Sequence, residues 1–269
     1  MPRPVFPPAN KRLGQHFLID QNIVRKIVAA ASLTPEDTVI EIGPGRGILT
    51  ESLSHAARRV VAIEIDRELY GLLQARQAEW TNVELICADA LNYPFDALPA
   101  GAVVANLPYY ISTPLLFKFL EYRRRFPRLV LMLQNEVADR LAAKAGDAEY
   151  GVLSVMTQYA AEVQKAFKVS ANCFRPRPDV GSAVVILRPR PEEVLLSPRD
   201  ESRFTAVVKA AFAHRRKTLI NSLRDEGYEA SAATKAIVSM ELSSTVRAET
   251  LTLEQFRELT SRLAHRHVR

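Results

Sequence analysis

Apolar residues in the first half of this chain gather into short runs separated by stretches of helical spacing. Five such runs cover residues 38–42, 59–66, 83–90, 102–106 and 129–134. They are nearly continuous in Val, Ile, Leu and Ala, the pattern of parallel strands covered on both faces. Between them, 48–57 and 68–79 read as helices. Ahead of them Asp20 can cap a helix over 21–31, with Ile23, Ile27, Ala30 and Ala31 on one face. Further on, 136–145 and 153–163 read as helices, and 163–169 and 182–187 alternate like an antiparallel pair closing the sheet. Beyond the proline-containing stretch 189–193 the helical period takes over, in short amphipathic units at 203–213, 217–225, 230–240 and 253–264. The expected organisation is a proline-rich mobile arm over 1–10, an α/β domain over 11–188 and a small all-helical C-terminal domain over 189–269. No internal repeat is visible.

The punctuation at the run ends carries the chemistry. The first run breaks into Gly43, Gly45 and Gly47, at every second position, and a helical segment follows. A strand, a glycine turn and a helix make the usual floor of a nucleotide pocket, because glycine turns sharply and lets a ligand approach the peptide groups. A dinucleotide fingerprint spaces its glycines around a pyrophosphate as G-x-G-x-x-G. This turn is G-x-G-x-G, with Glu41 two residues before Gly43. That favours a ligand with an adenosine and no phosphate, such as S-adenosylmethionine; the plain alternative is a tight turn with no ligand. Glu64, near the end of the second run, lies 21 positions beyond Gly43, close to where such folds place a carboxylate for the ribose hydroxyls. Asp89 ends the third and could accept from an adenine amine. Asn106 ends the fourth. One strand-end acid is commonly a helix cap, but a series of polar strand ends points to a binding site.

Composition narrows this picture modestly. The chain has 269 residues, 48% hydrophobic and 25% charged, as in ordinary globular proteins. A net charge of +6 suits a polyanionic partner without naming one. No apolar run reaches the length of a membrane span, and prolines near the N-terminus interrupt any signal helix. Two cysteines, Cys87 and Cys173, are too few for a disulfide framework or a metal cluster. Cys87, within an apolar run, reads as a small core residue. The expectations are a cytoplasmic protein, no metal and, with no dimer seam apparent, a monomer.

The most informative motif is Asn106-Leu107-Pro108-Tyr109. The lone pair of an adenine amine is delocalised into the ring, so the amine is a poor nucleophile, whereas a sulfonium methyl donor is highly reactive. No strong base is needed. What helps is a pair of acceptors for the two amine hydrogens, which aims the lone pair at the methyl carbon. The Asn106 side-chain oxygen and the Leu107 carbonyl can form that pair, Pro108 stiffens the turn, and Tyr109 offers a ring for an extruded base. A cytosine carbon-5 methylase would need a cysteine after such a motif, and neither cysteine is so placed. At His16 and Phe17 a loop packed on the domain edge is the simpler reading, and a lid over the pocket the functional one. Phe174, ahead of Arg175-Pro176-Arg177-Pro178, could anchor its loop or stack on a base.

In order, these motifs resemble those of the ribosomal RNA adenine dimethyltransferases, and within them the bacterial small-subunit (16S) branch. The resemblance runs from Lys11 to about Gln255. It is carried by Gly14-Gln15-His16-Phe17-Leu18, the glycine turn with Glu41, Glu64-Ile65-Asp66, Asp89-Ala90, the Asn106 motif through Ser112, Leu133 to Val137, Phe174 to Pro178 and Phe212 to Leu219. It implies a Rossmann-like S-adenosylmethionine-dependent methyltransferase sheet. It implies that His16, Leu18, Gly43, Gly45, Glu64, Asp89 and Asn106 bind S-adenosylmethionine and that Tyr109 and Phe174 sandwich the target adenine. The implied reaction adds two methyl groups to each of two adjacent adenosines, in a hairpin loop near the 3′ end of 16S rRNA in the immature small subunit. Lys11, Arg12, Arg175, Arg177, Arg215, Arg216 and Lys217 are the candidate phosphate contacts. Two departures stand out: His16 replaces a common Asn, and Arg177 a common proline. The alternatives are a large-subunit rRNA dimethylase, against which the Phe212 to Leu219 motif and the helical tail argue, and a non-catalytic assembly factor, which need not keep Asn106 and Tyr109.

Overall fold

A computed structural model describes residues 7–263, apart from 192 and 194 and the side chains of Lys11 and Pro198. Most of the arm expected over 1–10, and the Lys11 phosphate contact, therefore lie outside what is described. The apolar runs form strands β2 (Thr38–Ile42), β3 (Arg59–Glu64), β4 (Val83–Cys87), β5 (Ala102–Asn106) and β6 (Leu129–Gln134), preceded by a two-residue strand β1 (Phe17–Leu18). Three more follow: β7 (Ala161–Val169), β8 (Phe174–Arg175) and β9 (Ser182–Pro189). Seven of the nine make one sheet in the order β4-β3-β2-β5-β6-β9-β7, parallel from β4 to β6 and antiparallel at β9. Every residue of β2 is buried, Thr38 and Glu41 included among its apolar neighbours. β4, at the sheet edge, alternates instead, and the final Cys87 is exposed. The core role expected of Cys87 is thus corrected, since an edge strand has one neighbour to cover it.

The strand order fixes where a ligand can sit. From β2 the chain steps outward through β3 to β4, then returns to the other side of β2 and continues outward through β5 and β6. The reversal leaves a crevice at the carboxyl ends of β2 and β5, the switch point of an open α/β sheet. Gly43 follows β2 there, and Asn106 ends β5. Helices α1 (Gln21–Ala31), α2 (Ile48–Ala56), α3 (Arg67–Arg76) and α4 (Ser112–Glu121) accompany this half. Asp20 caps α1 by accepting from the Asn22 and Ile23 amides, and the helix buries Val24, Ile27 and Ala31. β1 pairs antiparallel with β8, Leu18 opposite Phe174, a link that the sequence pattern does not reveal.

α5 (Asn135–Ala142) and α6 (Val152–Ala160) precede β7, and α7 (Pro198–Phe212), α8 (Leu219–Asp225), α9 (Ala230–Ser239) and α10 (Leu253–Arg262) follow β9. The last expected helix reached to 264, which lies outside the described residues. The chain divides into two units, one running through Ala138 with Val163–Pro189 and the other comprising Asp139–Glu162 with the residues from Arg190 onward. The single boundary expected at 188/189 is therefore corrected: 139–162 belong with the tail. Tyr159 packs on Phe204 with ring centroids 4.8 Å apart, Tyr150 meets Phe212 edge-on, and Arg190 Nε donates to the Gln158 carbonyl at 3.0 Å. α7 starts five residues before its expected position, with Ser197 as cap and Pro198 at the first turn.

Candidate active site

Within the sheet-bearing unit, a cavity opens at the carboxyl ends of β2 to β5. Gly43 and Gly45 line its floor, both with positive φ, +71° and +58°. A side chain on Gly45 would meet the Phe17 ring at 3.1 Å. The Gly45 amide donates to Glu64 Oε2 at 3.0 Å and the Asp66 amide to Glu64 Oε1 at 2.9 Å. Burial raises the Glu64 carboxyl above its usual range, and these two amides hold it partly back. Each oxygen keeps a second lone pair for an incoming hydroxyl. Asp89, from the β4 end, lines the same cavity.

The Asn106 turn forms the opposite wall. Asn106, Leu107, Pro108 and Tyr109 all line the cavity. The Leu107 amide donates to the Met132 carbonyl at 3.2 Å, Ser112 Oγ donates to the Tyr109 carbonyl at 3.0 Å, and the Tyr109 hydroxyl shares a 2.8 Å hydrogen bond with Ser182 Oγ. Burial raises the Tyr109 phenol above its ordinary value, with Ser182 opposing. Tyr109 therefore stays neutral. Asn106 Nδ2 reaches the His16 carbonyl at 3.4 Å.

The segment leading into β1, from Leu13 to Phe17, lines the same cavity, with the Phe17 side chain buried. Gln15 anchors it: Nε2 donates to Asp66 Oδ2 and Oε1 accepts from the Asn10 amide, both at 2.8 Å. His16 Nδ1 lies 2.9 Å from the Pro176 carbonyl and so carries the proton there, while the imidazole stacks on Tyr109 at 5.7 Å. Two residues expected in the site sit differently. Leu18 does not line this cavity; its buried side chain joins the core and borders a smaller neighbouring space. Phe174 lines the cavity but its side chain is fully buried, held by pairing with β1, so it shows no free face for stacking. Ile65, 43% exposed, and Tyr110, 53% exposed, line the cavity and were missed. Ile65 directly follows the strand-end Glu64, and Tyr110 directly follows the Asn-Leu-Pro-Tyr motif.

Of the candidate phosphate contacts, Arg12, Arg175 and Arg177 are exposed on the sheet-bearing unit, and Arg215, Arg216 and Lys217 on the helical one. Arg175 Nη1 donates to the Phe174 carbonyl at 2.9 Å, and the Lys217 ammonium is paired with the Asp225 carboxylate. Among the described residues no helix is long and apolar enough to cross a membrane.

A parallel sheet with a glycine turn, strand-end acids and an Asn-Leu-Pro-Tyr turn facing one another across its switch point defines a Rossmann-like amino-group methyltransferase. The ribosomal RNA adenine dimethylase family matches residues 8–265, and the chain belongs to that family, whose methyl donor is S-adenosylmethionine. It is 45% identical over 267 residues to the ribosomal RNA small subunit methyltransferase A of Moorella thermoacetica, covering 95% of this chain and 92% of the relative. A dimethyladenosine transferase from Plasmodium falciparum superposes with a TM-score of 0.80 at 28% identity, covering 91% of this chain and 96% of the other. The 23S rRNA methyltransferase ErmE superposes at 0.74 with 29% identity, over 92% and 99%. The cavity fits the methyl donor: its floor lacks side chains at Gly43 and Gly45, Glu64 and Asp89 offer acceptors, and Ile65 and Tyr110 offer apolar surface for a purine.

Proposed function

We propose that this protein dimethylates the exocyclic amines of two adjacent adenosines in a hairpin loop near the 3′ end of 16S rRNA. In this reading it acts as a monomer, in the cytoplasm, on the immature small subunit. Asn106, at the switch point beside the glycine turn, is the single observation that carries the chemistry. The 45% identity to a small-subunit methyltransferase supports the choice of subunit.

S-adenosylmethionine supplies an electrophilic methyl group on a sulfonium. Gly43 and Gly45 admit it close to the backbone, Glu64 accepts from its ribose and Asp89 from its adenine amine. Asn106 Oδ1 and the Leu107 carbonyl accept the two hydrogens of the target amine and direct its lone pair; the proton released leaves through solvent. Tyr109 takes the extruded base on its ring once the His16 imidazole yields that face. Phe174 supports the cavity from within the core. Orientation and electrostatics suffice, because the donor is already reactive. Arg12, Arg175, Arg177, Arg215, Arg216 and Lys217, with Lys11, supply phosphate affinity that carries no sequence information.

The likeness to the 23S enzyme favours one competing reading, methylation of large-subunit RNA. Labelled methyl transfer to small and large subunits from a strain lacking both modifications separates the two. The expected product is N6,N6-dimethyladenosine at two adjacent positions of 16S rRNA; label confined to 23S rRNA would overturn the proposal.

A further inference from the structure

Lys118 lies on α4, and nothing above gives it a task. Its Nζ donates to three main-chain carbonyls of the loop leaving β4, those of Ala90 at 3.0 Å, Leu91 at 2.7 Å and Tyr93 at 2.6 Å. It also sits 4.3 Å from the centroid of the Phe95 ring. An ammonium has three N–H donors, so this loop takes all of them. Three carbonyl dipoles converging on one point repel one another unless a cation holds them.

That loop is the one that presents Asp89. Asp89 Oδ1 accepts from the Leu91 amide at 2.9 Å and Oδ2 from the Asn92 side chain at 2.6 Å, while its carbonyl accepts from the Asn92 and Tyr93 amides. The direction of the carboxylate and the shape of the turn are therefore set together. At its other end α4 grows out of the catalytic turn, where Ser112 Oγ holds the Tyr109 carbonyl. One side chain thus joins the loop beneath the cofactor's adenine to the helix that continues the methyl-transfer turn.

We propose that Lys118 is a positioning residue for cofactor recognition: by gathering the Ala90, Leu91 and Tyr93 carbonyls it aims Asp89 at the 6-amino group of the cofactor's purine. This rests on the reading of the cavity as the S-adenosylmethionine site with Asp89 on the adenine. The ammonium never touches the cofactor. It acts through the loop, so its loss blunts selectivity at purine position 6 as well as affinity.

Calorimetry with S-adenosylhomocysteine and with its 6-oxo counterpart, S-inosylhomocysteine, tests this without turnover. The native protein is expected to prefer the 6-amino ligand. Lys118→Met is expected to bind S-adenosylhomocysteine at least tenfold more weakly and to lose most of that preference. In an Asp89→Asn background the same substitution is expected to cost little more, because both changes act on one contact. Equal weakening toward both ligands, or additive losses with Asp89→Asn, would show a merely structural tie and overturn the proposal. If the native protein itself does not discriminate, the adenine assignment of Asp89 falls and the proposal with it; if it does and Lys118→Met discriminates equally well, the proposal falls alone. Should Lys118→Met not fold, Lys118→Gln keeps two donors: intermediate selectivity supports the proposal, and native selectivity refutes it.

Discussion

Two acids flank the glycine turn, Glu41 and Glu64, and the fold treats them differently. Glu64 has both oxygens bonded to main-chain amides at the cavity wall. Glu41 is fully buried beside the Thr50 hydroxyl, and its Oε2 has no hydrogen-bond partner among the described residues. Burial above all, with a smaller push from the Glu64 charge, drives the Glu41 carboxyl up to about 8. A carboxyl with its folded pKa above its unfolded value keeps its proton in the fold after the unfolded chain has lost it. Its contribution to stability is therefore intact below pH 4.5 and declines as pH rises toward 8. Glu41→Gln is expected to flatten that decline and to add a few kcal/mol at pH 8.5 and little at pH 4.5. Urea unfolding at the two pH values reads the difference, and parallel slopes would refute it. Glu64→Ala removes the ribose acceptor, at a cost of about 1.5–3 kcal/mol, or roughly 10- to 100-fold in affinity. Titration of S-adenosylmethionine by calorimetry measures it; unchanged affinity would contradict the ribose assignment.

Elements, in turn, set how closely those residues approach one another. β5 enters the sheet through Gly101, where an added Cβ would lie 2.2 Å from the Thr38 carbonyl oxygen of β2. The obstruction is backbone and cannot swing aside, so Gly101→Ala is expected to destabilise the protein by about 3 kcal/mol. A thermal melt showing a native midpoint would disprove that. The sheet itself was legible because its inner strands are largely apolar runs and groups such as Glu64 and Asn106 fall at their ends, two signals local in sequence. The β1–β8 pair was not: Leu18 and Phe174 meet through two-residue strands with no pattern of their own. The same pairing buries Phe174, which its motif alone offered as a stacking face. The placement of 139–162 was equally hidden. Proline marks a boundary near 189, but the partners that claim Tyr150 and Tyr159 lie some fifty residues further along the chain.

For the whole molecule, the +6 net charge becomes useful only where basic groups are exposed and unspent. Arg215 and Arg216 are exposed, Arg215 Nη2 giving one hydrogen bond to the Ala148 carbonyl at 3.3 Å, whereas the Lys217 ammonium is already engaged by the Asp225 carboxylate. Replacing both arginines with alanine is expected to weaken RNA binding across sequences and to lower the salt slope of log K by roughly 1–2. Lys217→Ala is expected to change that slope less. Filter binding over a range of salt concentrations reads both, and an unchanged slope for the double variant would remove the pair from the RNA path. Selectivity for one hairpin must then come from the cavity and the shape of the subunit, since phosphate contacts carry none.

Asn106→Ala offers the most direct measurement, because it deletes the side-chain acceptor and leaves the Leu107 carbonyl and the Tyr109 ring in place. In single-turnover methyl transfer to unmodified small subunits, its rate is expected to fall at least ~100-fold. Small-subunit affinity, measured by sedimentation, is expected to stay within about threefold of native, since no phosphate contact is lost. A variant that transferred methyl groups at the native rate would contradict the claim that the Asn106 carboxamide aims the target amine.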